Sequence, residues 1–223
     1  ITAVRKLTTS KNTKLAASIK INFDINRKFI NLILINFYMV GNIPNFTKVD
    51  ILRCFLRFNK NISRQELAKE LGLCEGTVRT ILEILKSRGF IDSTKKGHFL
   101  SRKGNQTLNQ IYEWISPPKV IKAQSIYPDF KKIGVLVRNV SNLKRLYKLR
   151  DIAVKNKADG AIILRFENRL YAPESDYEQN YDELENYFDF KNNDVLVISF
   201  SDKKRDAENG ALAIAIELSN FLK

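Results

Sequence analysis

Gly76-Thr77-Val78-Arg79-Thr80 is the stretch in which residue type and spacing first suggest chemistry. Two hydroxyls and a guanidinium placed just ahead of an apolar run can present donors and acceptors from one end of a helix. Threonine can exchange hydrogen bonds with a base or touch a thymine methyl, and arginine can pair bidentately with guanine or hold a phosphate. Upstream, Arg64 can meet a phosphate beside the free N–H groups of a helix start. Downstream, Lys95, Lys96, Arg102 and Lys103 can neutralise further phosphates. Each has a plainer alternative: an ion pair with Glu83 at i+4 for Arg79, and a solvated turn for the four downstream cations. Glu75 works against phosphate at this surface unless it reads cytosine or caps the helix. His98, the single histidine, reads as structural.

These residues need elements to position them, and the pattern supplies them. Thr47 can cap a helix from Lys48 with Ile51, Leu52, Phe55 and Leu56 on one stripe, and Asp50 serves as the capping acid. Ser63-Arg64-Gln65-Glu66 is a full capping box opening a short helix, with Leu67 and Leu71 inward and Gly72 to end it. A second helix over 75–88 gathers Val78, Ile81, Leu82 and Leu85 on one face, leaving Gly76, Thr80 and Glu83 opposite and Thr77 and Arg79 at the flank. Residues 90–94 and 98–101 can pair as strands around Lys95-Lys96-Gly97. Two helices joined by a glycine-containing turn and followed at once by a basic hairpin form the winged helix-turn-helix arrangement. In it the 75–88 helix enters the major groove and the wing, 94–98, lies on flanking phosphates. Ser101 can cap a further helix to Ile115, and Ser116-Pro117-Pro118 ends it as a hinge.

Residues 63–101, with Glu-Leu-Ala-Lys-Glu-Leu-Gly-Leu at 66–73 and Gly-Thr-Val-Arg at 76–79, resemble winged-helix transcriptional regulators. Leu100-Ser101-Arg102-Lys103-Gly104 is similar to the Leu-Thr-x-x-Gly that follows the wing in that family. From about Met39 onward the chain resembles archaeal two-domain proteins in which a winged helix precedes a domain of unassigned function. The resemblance implies double-stranded DNA as partner and specifies fold better than target.

Beyond the hinge the pattern is that of a second domain. Strands are expected at 133–137, 161–166, 169–172 and 194–200, and helices at 141–157, 177–188 and 206–222. The order β-α-β-β-α-β-α is a split βαβ layout, a layer of helices on a largely antiparallel sheet in an α/β sandwich. The whole chain is thus α+β: an extension at 1–38, a DNA-binding domain at 39–116, a linker at 117–130 and a sensor or dimerisation domain at 131–223. Small α/β domains behind a DNA reader bind an effector or make the dimer, an argument from architecture. Two local clues mark effector candidates: Ser201-Asp202 at a strand end before a helix, and Arg150-Asp151 inside a packed helix, where a structural salt bridge is the plainer reading. The acidic residues between Glu174 and Asp189 read as a solvated face.

The 223 residues carry a net +14, of which +6 falls in 1–38, +6 in 39–118 and only +2 in 119–223, so a polyanion partner is expected at the front. Two cysteines, Cys54 and Cys74, make no disulfide framework or Cys-x-x-Cys motif, and both read as reduced structural residues, with a thiol sensor at Cys74 the lesser reading. One histidine excludes sites that need several imidazoles. There is no Walker or Rossmann glycine loop and no Gly-x-Ser-x-Gly elbow. No cofactor and no catalysis are therefore expected. The apolar run 29–40 is too short for a membrane span of about 20 residues, and its neighbourhood raises a further expectation, that Met39 is the natural start.

The expected function is a cytoplasmic, sequence-specific DNA-binding regulator, a homodimer by analogy with operator symmetry, with a small-molecule effector as second partner and no membrane. The alternatives are an enzyme scaffolded by a winged helix, or a winged helix that docks RNA or protein.

Overall fold

The computed structural model describes residues 46–173, 175 and 179–219. The extension 1–38, Met39 and the apolar run 29–40 lie outside these residues, as does part of the helix expected at 177–188.

Four helices and a hairpin form the first domain. In α1 (Lys48–Phe55), Thr47 Oγ1 accepts from the Asp50 N–H at 3.3 Å while the Thr47 N–H donates to Asp50 Oδ2 at 2.9 Å, a complete capping box. In α2 (Arg64–Leu71) only half of the expected box forms. Ser63 Oγ accepts from the Glu66 N–H, but the Glu66 carboxylate turns to Lys60 Nζ at 2.8 Å, a charged partner in place of a backbone N–H. Gly72 closes α2 at φ 63°, the left-handed turn that leads into α3 (Glu75–Ser87). Strands β1 (Ile91–Thr94) and β2 (Gly97–Leu100) pair antiparallel around Lys95 and Lys96, and His98 also bridges to Ile62. Helix α4 (Arg102–Tyr112) starts on Ser101, whose Oγ accepts from the Gly104 N–H at 2.9 Å. Gly104 passes so close to the hairpin that a Cβ there would stand 2.0 Å from the Phe90 carbonyl oxygen.

The second domain is a five-stranded sheet with the order β3-β4-β7-β5-β6, antiparallel between all neighbours. Its strands are β3 (Lys119–Ile121), β4 (Lys131–Val137), β5 (Gly160–Glu167), β6 (Arg169–Tyr171) and β7 (Val195–Ser201). Because β4 and β5 both run against β7, they are parallel to each other with β7 between them, and α5 (Leu146–Lys155) makes the crossover. Helices α5 and α7 (Lys204–Leu218) cover one face; α6 (Asp182–Glu185) and the segment around Ile126 help cover the other. The protein is a mixed α+β chain, with seven helices and two antiparallel sheets among the described residues.

Three expectations change. The segment read as linker, 117–130, carries β3 and is stitched to the sheet from its start: Ile115 bridges to Val137, and the Ser116 N–H donates to the Leu136 carbonyl at 2.8 Å. Ser116-Pro117-Pro118 is therefore pinned to β4 on one side rather than a free hinge. The helix expected from Ser141 begins only at Leu146, because Arg145 sits in the left-handed region at φ 58° and interrupts it. The acidic helix is a single turn, α6, within its described part. Apolar packing does not stop at the domain boundary: one buried cluster runs from Phe55, Leu71 and Leu85 through Ile115 and Val137 to Ala211 and Leu212. Among the described residues no helix is long and apolar enough to cross a membrane.

Candidate nucleic-acid interface

The amphipathic split of α3 fixes what this surface can do. Val78, Ile81, Leu82 and Leu85 are fully or almost fully buried. That packing turns Gly76, Arg79 and Glu83 outward, with Thr77 and Thr80 half-buried beside them. Several of these groups already have neighbours. Thr80 Oγ1 donates to the Gly76 carbonyl at 3.2 Å, and Thr77 Oγ1 lies 3.0 Å from Cys74 Sγ. Arg79 Nε pairs with Glu83 at 2.9 Å, and Arg64 Nε with Glu75 at 3.2 Å. Both ion pairs lie in solvent, with side chains between 46% and 68% exposed. Exposed pairs of this kind are worth about 0–1 kcal/mol and exchange readily for a stronger anion. The i+4 pair anticipated for Arg79 is thus formed, and it leaves the guanidinium on the outer face.

At the hairpin tip Lys95 and Lys96 are exposed, and Arg102 is exposed at the start of α4. Lys103 is committed differently: its Nζ donates to the Arg88 carbonyl at 2.9 Å and lies 4.5 Å from the centre of the Phe90 ring. That ammonium satisfies the C-terminal end of α3, where a cation is favoured. His98 is half-buried, and its pKa is lowered by burial and then by the nearby charges of Lys86 and Arg64, so the imidazole is neutral at pH 7. The exposed Cys74 thiol has a lowered pKa, chiefly through the Thr77 hydroxyl, whereas burial pushes Cys54 up to about 12.

The second set of candidates does not assemble. Arg150 and Asp151 are exposed on α5, Ser201 is buried at the end of β7, and the Asp202 N–H donates to Asp159 at 3.4 Å, with no bond joining the two pairs. Among the described residues no group of three or more His, Cys, Asp or Glu is placed to hold a metal.

Comparison with known proteins follows the same division of the chain. Residues 48–106 match the family described as "PH0730-like, N-terminal domain", and residues 129–218 match a "Domain of unknown function (DUF4443)". The solved structure of "Hypothetical protein PH0730 from Pyrococcus horikoshii OT3" superposes with a TM-score of 0.68 at 28% identity, over 78% of this chain and 93% of that one. The chain has two domains. No curated protein matches.

The two domains are tied together by charges that sequence patterning did not reveal. Arg53 on α1 is 1% exposed; its Nη1 reaches Asp50 and its Nη2 reaches Glu208 of α7, both at 2.9 Å, and Nη2 also meets the Leu71 carbonyl at 3.1 Å. Arg57 completes the pair on Glu208, and Arg205 of α7 returns to Asp50 at 3.2 Å. Burial opposes the charge on Asp50, but the Thr47 N–H, Arg205 and Arg53 together outweigh it and its pKa is lowered. Asp50 was legible as a capping acid; its spacing to Arg53 on α1 and to Arg57 in the turn just after it was the one local signal for a charged seam. The partners on α7 lie about 150 residues away and carry no such signal.

Proposed function

We propose that the protein is a sequence-specific duplex-DNA-binding regulator whose first domain is a winged helix-turn-helix. In this reading α3 enters the major groove with Thr77, Arg79 and Thr80 toward base edges. Lys95 and Lys96 of the wing, with Arg64 and Arg102, meet flanking phosphates. Lys103 supports α3 from behind. The second domain binds a small effector or joins two copies, and no catalytic step is assigned to it.

The observation that carries this reading is the division of α3: its apolar face is spent on the core, and its opposite face is open beside a lysine-tipped hairpin. Glu75 and Glu83 hold Arg64 and Arg79 in the free protein, and phosphates would replace these carboxylates on binding. Selection from a random duplex pool tests it. The reading predicts enrichment of a consensus and weaker capture of RNA of the same length. Equal capture of RNA, or no enrichment, would refute it and favour docking of RNA or protein.

A further inference from the structure

Helix α5 and its two flanks carry an excess of positive charge that the fold does not use. Residues 144–157 hold Lys144, Arg145, Lys148, Arg150, Lys155 and Lys157 against Asp151 alone, a net +5, which leaves −3 for the rest of 119–223. All six cations are exposed, and none makes a side-chain ion pair or hydrogen bond among the described residues. The sheet separates them from the acids of α6: α5 lies on one face, and Asp182, Glu183 and Glu185 lie on the other. Four of the cations, Lys144, Arg145, Lys148 and Lys155, border one open trough of about 610 Å³ beside Tyr147. Its two acids, Asp151 and Glu217, are outnumbered two to one. Lys148 and Lys155 stand two turns apart on one side of α5, about 10.5 Å along its axis. A small anion needs donors that converge on it, whereas unpaired cations strung along an open track suit a chain of repeating anions.

The C-terminal end of α5 lies toward the turn that leads into α3. Asp159, two residues after Lys157, accepts from the Asp202 N–H at 3.4 Å, just ahead of α7. In the first turn of α7, Arg205 packs beside Gly72, where a Cβ would come 3.9 Å from its own Cβ, and Gly72 closes α2. We infer that α5 is a second phosphate-backbone surface, on which a strand of the duplex held by the first domain runs along the trough past Lys148 and Lys155. Tyr147, 56% exposed, can donate its hydroxyl to the same strand. Such a contact adds affinity and footprint and reads no bases. The charge separation stands by itself; the choice of a duplex as partner rests on the function proposed above.

The test is duplex binding by the full chain over a range of salt, comparing the natural protein, Lys148→Gln/Lys155→Gln, Lys95→Ala/Lys96→Ala and the four substitutions combined. The α5 pair should bind more weakly, with a log–log slope shallower by about 1.8, and the combined variant by about 3.6, at about 0.9 per phosphate contact. Additive slopes put both surfaces on one duplex. Lys191→Gln, an exposed lysine ahead of β7, should leave the slope unchanged. Sedimentation without nucleic acid should give the natural chain and the α5 variant the same mass. An unchanged slope in the α5 variant, or no duplex binding at all, would overturn the inference. So would a lower mass for that variant, which would assign the α5 face to the acidic side of a second copy. The two readings fail separately. Duplex binding that depends on α5 but selects no consensus would refute sequence-specific recognition and keep this surface; a slope that responds to the wing and not to α5 would do the reverse.

Discussion

Arg53 and Glu208, 155 residues apart in the chain, meet at 2.9 Å with each side chain only 1% exposed. Such a pair stabilises weakly against an apolar replacement, but removing one partner strands the other charge. Glu208→Ala should therefore cost about 3–5 kcal/mol, read as a lower midpoint in urea unfolding. The double variant Arg53→Met with Glu208→Met should recover much of it. A loss below about 1 kcal/mol would show that water reaches this seam.

The same seam sets an acid dependence. Asp50 has a depressed pKa, so its stabilisation is complete above the unfolded value, about 3.9, and is lost as pH falls through the lower native value. The thermal midpoint should fall as pH drops below about 4. Asp50→Asn should start less stable and show a shallower fall over that range. Equal slopes in the two proteins would remove Asp50 from the acid transition.

Because one apolar cluster spans both domains, unfolding should be a single cooperative event. Trp114, at the junction, and far-ultraviolet circular dichroism should report coincident urea transitions. Two separated transitions would mean that the junction contributes little.

Gly104 tests the seat of the hairpin on α4. A methyl group there would stand 2.0 Å from the Phe90 carbonyl oxygen, a backbone atom that cannot swing aside. Gly104→Ala should cost about 2–3 kcal/mol, at the upper end of ordinary overpacking, although alanine is otherwise the better helix former by about 1 kcal/mol. A neutral or stabilising result would contradict the close approach of α4 and β1.

The elements of the first domain were legible because short-range rules decide them. Caps at Thr47, Ser63 and Ser101, and the 3,4 spacing of Val78, Ile81, Leu82 and Leu85, each act within a few residues. Strands β4, β5 and β7 were equally plain as apolar runs. Which strand fills the gap between β4 and β5 was left open by the split βαβ reading, because strand order is a long-range choice that periodicity does not encode; β7 takes that place. Lys119–Ile121 was hidden for a related reason: a three-residue edge strand between two prolines and an irregular loop has too few residues to show alternation. Among the candidate contacts, Lys103 belongs to the end of α3, and only the folded position of Arg88 reveals it.

The most direct test is a salt titration of a fluorescein-labelled 30-base-pair duplex by anisotropy, comparing the natural protein with Lys95→Ala/Lys96→Ala. Binding should weaken steeply between about 50 and 200 mM salt, and the double variant should bind more weakly with a log–log slope shallower by about 1.8, two phosphate contacts' worth. Binding that ignores salt, or a slope untouched by the loss of both lysines, would contradict a nucleic-acid surface built on α3 and the β1–β2 hairpin.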